Sequence, residues 1–173
     1  MVIALTAVLG ASLASAAPST RRTFANGIWT GEGKLAGGIF GDVNMEGTGP
    51  LRFRMTICNG VALSGRLTFT ERFRGAVRGQ RFTGSASGTL RIRAADGDPI
   101  HVRGPVTVNA TILGVSASTS ATGNGEIKGE GTARRMTGDL AIEARAIQSN
   151  SSAIGSTTVE APYVARRTAT ASC

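Results

Sequence analysis

Leu51-Arg52-Phe53-Arg54-Met55-Thr56-Ile57, continued after Cys58-Asn59-Gly60 by Val61-Ala62-Leu63-Ser64-Gly65-Arg66-Leu67-Thr68-Phe69-Thr70-Glu71-Arg72-Phe73, is the stretch that decides the fold. Its apolar residues stand at odd positions, and the even positions between them are mostly Arg, Ser and Thr. A period of two sends alternate side chains to opposite faces of a strand. From Phe82 to Ile112 the beat continues with even parity, through Ala86, Leu90, Ile92, Ile100, Val102, Val106 and Val108. One face of each strand therefore belongs to a core and the other to water, the pattern of antiparallel sheet.

The turns constrain the pairing. Both strands of the first hairpin are odd-inward, so opposed residues need an even sum, and a one-residue slip would turn one apolar set to water. A three-residue loop, Cys58-Asn59-Gly60, meets this by pairing Ile57 with Val61, with Gly60 free to take a left-handed conformation. The same logic at Ala95-Asp96-Gly97 pairs Ile92 with Ile100. Between Phe73 and Phe82 the parity flips, so an even loop near Val77-Arg78 is expected, with Phe73 opposite Phe82. Strands are expected at 27–35, 39–46 (weaker), 51–57, 61–74, 82–93, 100–112, 115–132 and 137–147. A Ser/Thr-rich loop at 148–158, a ninth strand at 159–164 and a polar tail at 166–173 complete the chain. The reading is all-β: an antiparallel meander of about eight strands, an up-and-down barrel or barrel-like ring, with a β-sandwich as the alternative. An outer-membrane barrel needs outward aromatic girdles. Aromatics are 5% of this chain and the outward faces carry Arg and Thr, so the domain is not read as membrane-spanning.

The chain has 173 residues. Val2 to Leu13 is an apolar run too short to span a bilayer, and Ala14-Ser15-Ala16 fits a signal-cleavage site. Residues 1–16 are read as a signal peptide with a mature start near Ala17, residues 17–26 as a short N-terminal segment, and 27–165 as a single β-domain. An exported, periplasmic or secreted protein follows. Its two cysteines, Cys58 and Cys173, then most simply pair with each other.

The net charge is +8, carried by 17 Arg and two Lys. Arginine over lysine is also what a GC-rich genome encodes, so composition alone assigns no role. The positions say more. Even-sum pairing sets Arg52 opposite Arg66 and Arg54 opposite Ser64, and carries the row to Arg91, Arg103 and His101. Arg52, Arg54, Arg66, Arg91 and Arg103 then share one solvent face. Like charges opposed on a sheet cost stability, so the face suggests an anionic lipid or polysaccharide partner. No aromatics interleave with it, which argues against specific nucleic-acid binding.

Gly27-Ile28-Trp29 opens the first strand, and it resembles the start of lipocalin-like barrels. That resemblance implies an eight-stranded barrel whose first-strand Trp closes one end, and a small apolar ligand in the lumen. Ligand-lining candidates are Trp29, Phe69, Glu71 and Phe73. The strand from Val115 to Thr132 carries small inward residues, among them Ala121, Gly123, Gly125, Gly129 and Gly131, which either admit a bend or leave a cavity. Glu71 faces inward by parity and is the one candidate for a perturbed acid. It is read first as a rim position open to water or a local bulge. A lone histidine, His101, forms no metal cluster, and no serine stands in a nucleophile elbow. No catalytic residue, metal or cofactor is expected. The overall expectation is a non-enzymatic binding protein for a small apolar ligand or an anionic envelope surface. The alternatives are an envelope-associated structural protein without a ligand and an enzyme using Glu71 as its acid.

Overall fold

The computed structural model describes residues 24–40, 43–77, 79–92, 100–147 and 153–173. The expected signal peptide with its expected Ala17 start, the expected Ala95-Asp96-Gly97 loop and Arg78 lie outside the described residues. Ten strands follow in chain order: β1 (Gly27–Leu35), β2 (Gly38–Phe40), β3 (Val43–Cys58), β4 (Val61–Val77), β5 (Gln80–Ile92), β6 (Ile100–Ile112), β7 (Val115–Ile127), β8 (Glu130–Gly131), β9 (Arg135–Ile147) and β10 (Ala153–Ala169). All pairings are antiparallel. Eight long strands close a ring in the order β1, β3, β4, β5, β6, β7, β9, β10 and back to β1. β2 pairs with β10 and β3, and β8 pairs with β9. The sheet is therefore barrel-like, and the sandwich alternative does not hold.

Closure fixes the width. A row of directly opposed residues leaving β9 at Arg135 passes around the ring and returns to β9 at Glu143, eight residues further on. Eight strands with a stagger of eight give an interior narrow enough for inward side chains to fill. The core contains Trp29, Leu51, Phe53, Met55, Leu67, Leu90, Ile127 and Leu140 among its buried members.

The first hairpin departs from expectation. Asn59 and Gly60 both take positive φ, 51° and 75°, and form a two-residue turn that pairs Cys58 with Val61 and Ile57 with Ala62. Such turns match the right-handed twist of the flanking strands. The odd sum is corrected one step later by a bulge, after which Thr56 opposes Ser64. Leu63 is the extra residue. It is turned outward at 54% exposure while Ala62 is buried in its place.

The next two hairpins keep the expected faces but shift by two residues. Phe73 opposes Gly84 and Phe82 opposes Gly75, while Ile92 opposes Val102 instead of Ile100. The shift lays each ring across a glycine rather than against the other ring: a Cβ at Gly84 would collide with Phe73, and one at Gly75 with Phe82. The two rings still meet edge to face at 6.3 Å. Phe53 lies over Gly31 and Phe69 over Gly88 in the same manner.

Elsewhere the expected strand 39–46 is divided between β2 and the start of β3, and 115–132 is interrupted at Lys128-Gly129. The Ser/Thr-rich segment is not wholly loop. β10 begins at Ala153 and runs through Ala169, absorbing part of the polar tail. Its hydroxyl residues suggested a loop, but β-branched Thr suits strands, and β10 has neighbours on both sides.

One end of the ring is sealed. Phe24 meets Trp29 edge to face at 5.0 Å, and Trp29 Nε1–H donates to Ala25 O at 2.8 Å. The Asn59 amide donates to Asn26 Oδ1 at 2.7 Å, and Arg167 Nη1 donates to Asn26 O at 3.1 Å. Cys58 and Cys173 are joined by a disulfide with Cα atoms 5.5 Å apart. The hairpin turn, the segment before β1 and the C-terminus are thus tied together at this end.

Candidate functional site

The outer surface carries a row of arginines set by register. Arg54 opposes Arg66, Arg66 opposes Arg91, and Arg91 opposes Arg103. In the other direction Arg54 opposes Thr30, Thr30 opposes Arg166, and Arg166 opposes Arg135. The row Arg135–Arg166–Thr30–Arg54–Arg66–Arg91–Arg103 crosses seven adjacent strands with one break in charge, and every member is exposed. Beyond Arg103 it continues to Asn124 and then Glu143.

Four of the five expected arginines therefore stand in direct opposition. Arg52 does not: it opposes Thr68 and Glu32, two residues along β3 from Arg54. The bulge at Leu63 moved the register while leaving Arg52 on the same face. Arg135, Arg166 and Thr30 were not expected in the row. Closure of β10 onto β1 and β9 brings them there, and no local signal in the sequence announces it. A shallow outer groove along β3 and β4 is lined by Thr30, Arg52, Arg54, Ser64, Arg66 and Thr68, among others.

Among the described residues, the ion pairs seen do not neutralise the arginines of the row. The exposed ion pairs among the described residues join Arg74 to Glu46 at 2.7 Å and Lys128 to Glu126 at 3.1 Å, with His101 Nδ1 3.7 Å from the same Glu126. None involves a member of the row. His101 is outward, as its parity requires.

The inner candidates lie apart from this face. Trp29 is wholly buried under the sealed end, and Phe69 and Phe73 are buried over their glycines. The small residues of β7 and of the break after it meet bulk: a Cβ at Gly123 would come 2.7 Å from Val106 Cγ2, one at Gly125 would lie 3.1 Å from Val102 Cγ2, and one at Gly129, between β7 and β8, would lie 3.2 Å from Phe24 Cζ. Gly131, expected inward, is exposed.

Glu71 is not open to water. It is 2% exposed, and its Oε1 has no hydrogen-bond partner. Burial pushes its carboxyl above the ordinary carboxylate range, and a hydrogen bond from the Gly37 backbone opposes the shift. Gly37 has φ 84°. Oε1 lies where a side chain at Gly47 would stand, so glycine there makes room for the carboxyl. Ala86 opposes Glu71 on β5, and no second acid or base converges on it among the contacts of the described residues.

Among the described residues no three His, Cys, Asp or Glu side chains gather as a metal site. No helix there is long and apolar enough to cross a membrane, which says nothing of crossing by strands. No protein-family model matches the chain, and no curated protein matches it.

Proposed function

We propose that this is an exported, non-enzymatic binding protein whose outer arginine face holds an anionic partner at the cell envelope. The observation that carries the reading is the row Arg54–Arg66–Arg91–Arg103, in which cation directly opposes cation on adjacent strands. Like charges directly opposite on a sheet are destabilising, so the row is costly to the fold and is relieved by an anion. The Cys58–Cys173 bridge supports export, because disulfides persist in oxidising compartments. The alternative of an apolar ligand in the lumen draws support from the likeness of Gly27-Ile28-Trp29 to lipocalin-like barrels. Its weight is reduced by the side chains that fill the space opposite the β7 glycines.

The test is retention on a carboxylated or sulfated matrix, together with cosedimentation with anionic vesicles. Binding to at least one is expected at low salt and should weaken as salt rises, because exposed charges are screened beyond ~8 Å at 0.15 M. Arg54→Ser with Arg91→Ser should abolish it. Indifference of binding to those two changes, or no binding at low salt, would make the face a solvated surface and nothing more.

A further inference from the structure

The shape of the row discriminates between anionic partners. It crosses seven of the eight long strands, and thus travels about three-quarters of the way around the ring. Strands lie ~4.8 Å apart, so the row is about 29 Å long. Opposed residues follow a line perpendicular to the strands. Because barrel strands tilt by roughly 35–45° to the axis, that line climbs the outer wall as a spiral. A flat bilayer touches a convex wall along only two or three neighbouring strands and leaves the rest of the spiral facing water. A flexible linear chain can follow all of it.

The surroundings narrow the chemistry. The positions two residues to either side of the row include Thr56, Ser64, Thr68, Thr89 and Arg52, which donate hydrogen bonds or carry positive charge. Glu32, beside Arg52, is the acid among these flanking positions on the described residues. Trp29, Tyr163 and the rings of Phe24, Phe53, Phe69, Phe73 and Phe82 are all buried, so the described wall offers no platform on which bases stack. Among the described residues, the large exposed apolar side chains are Leu63, at the bulge in β4, and Leu113 and Val115, at the turn between β6 and β7, and none stands in the row to enter a membrane.

Resting on the anion-binding reading above, we infer that the spiral Arg135–Arg166–Thr30–Arg54–Arg66–Arg91–Arg103 is a track for a linear acidic polysaccharide bearing about one carboxylate or sulfate per sugar. The guanidinium groups pair with successive charges, and the flanking hydroxyls bond the sugar oxygens. The single threonine in the row, Thr30, leaves one sugar without a cation. Arginine suits this task because its planar fork meets a carboxylate or sulfate with two hydrogen bonds.

The experiment measures affinity of the mature protein for oligogalacturonate fragments of increasing length, and for equally charged oligothymidylate and phosphatidylglycerol vesicles. Affinity for the oligogalacturonates should climb with length and level off near six to eight sugars, as the ~29 Å row requires. Arg135→Ser with Arg166→Ser should weaken long fragments and spare fragments of two or three sugars. Arg66→Ser with Arg91→Ser should weaken all lengths by more than about tenfold and reduce the salt slope by about two, one released counterion for each lost cation. Arg72→Ser with Arg81→Ser removes the same charge off the row and should change affinity by less than about twofold. Affinity independent of fragment length overturns the track. So does equal or tighter binding of oligothymidylate or of vesicles, although the anion-binding face would survive that result. Failure to bind any of the three at low salt removes both readings. The wild-type length series decides the matter without any variant, and circular dichroism of each variant confirms its fold.

Discussion

The inner and outer faces of β3 to β6 follow opposite rules, although the same strands supply both. Inside, unlike meets unlike. Phe53 lies over Gly31, Phe69 over Gly88, Phe73 over Gly84 and Phe82 over Gly75. Large residues occupy the volume that small ones vacate, as a filled interior requires. Outside, like meets like, with Arg54, Arg66, Arg91 and Arg103 in a line. The inner pairs lower the energy of the fold, whereas the outer pairs raise it. A feature that opposes folding, repeated over adjacent strands, calls for an explanation outside folding, and the proposed binding of an anion by the outer face supplies one.

The sharpest tests of this contrast begin at the sealed end, where both faces are tied to the chain termini. Cys58→Ser with Cys173→Ser should cost about 2–4 kcal/mol in denaturant unfolding, because the bridge closes a long loop and joins residues 115 apart in sequence. A loss below about 0.5 kcal/mol would show that the docked strand β10 holds the C-terminus unaided.

Neighbouring positions on β5 come next. Gly84→Val drives a side chain into the Phe73 ring and the Asn109 carbonyl and should destabilise by about 1–3 kcal/mol. Thr83→Val, one residue away and exposed, should change stability by no more than about 0.5 kcal/mol. Equal effects at the two positions would break the contrast between the faces.

Glu71 is the inner face's exception, a polar group where packing rules. Its folded-state pKa is raised from the ordinary value of 4.5, chiefly by burial. Below that ordinary value the group is protonated in both folded and unfolded protein and contributes nothing. As pH rises through the window up to the raised folded-state value, the unfolded chain ionises first and stability is lost; above the window the penalty is fully present. Glu71→Gln keeps the shape and removes this dependence. Its unfolding free energy should therefore exceed that of the wild type at pH 7 and converge with it at pH 4. A wild type that gained stability between those pH values through Glu71 would contradict the burial.

The smallest effect is the most diagnostic of the outer face. Arg66→Ser removes one of the two arginines, with Arg91, that are flanked on both sides by cations. It should raise stability by roughly 0.2–1 kcal/mol at low salt, a gain that fades as salt screens the row. A loss of stability at low salt would mean that the arginine stems contribute more through packing than their charges cost.

The sequence alone determined which way each residue faces over most of the chain, and hence the all-β class, the approximate strands, the inward Glu71 and the outward arginines. Alternation is a local property, readable two residues at a time, and it survives a register shift of two. What failed locally failed for local reasons. At Asn59-Gly60 the alternation points to a three-residue loop, because a two-residue turn conflicts with the parity unless a bulge intervenes, and nothing at Leu63 marks the bulge. The Ser/Thr-rich start of β10 carries no alternation at all and becomes strand only through its neighbours. Which arginines oppose which, where Glu71 sits relative to Gly37 and Gly47, and whether the sheet closes are properties of pairing between distant strands. Pairing is decided by the summed fit of turns, bulges and rings over glycines across the whole sheet, so Arg135 and Arg166 joined the row only when tertiary structure brought β9 and β10 back to β1.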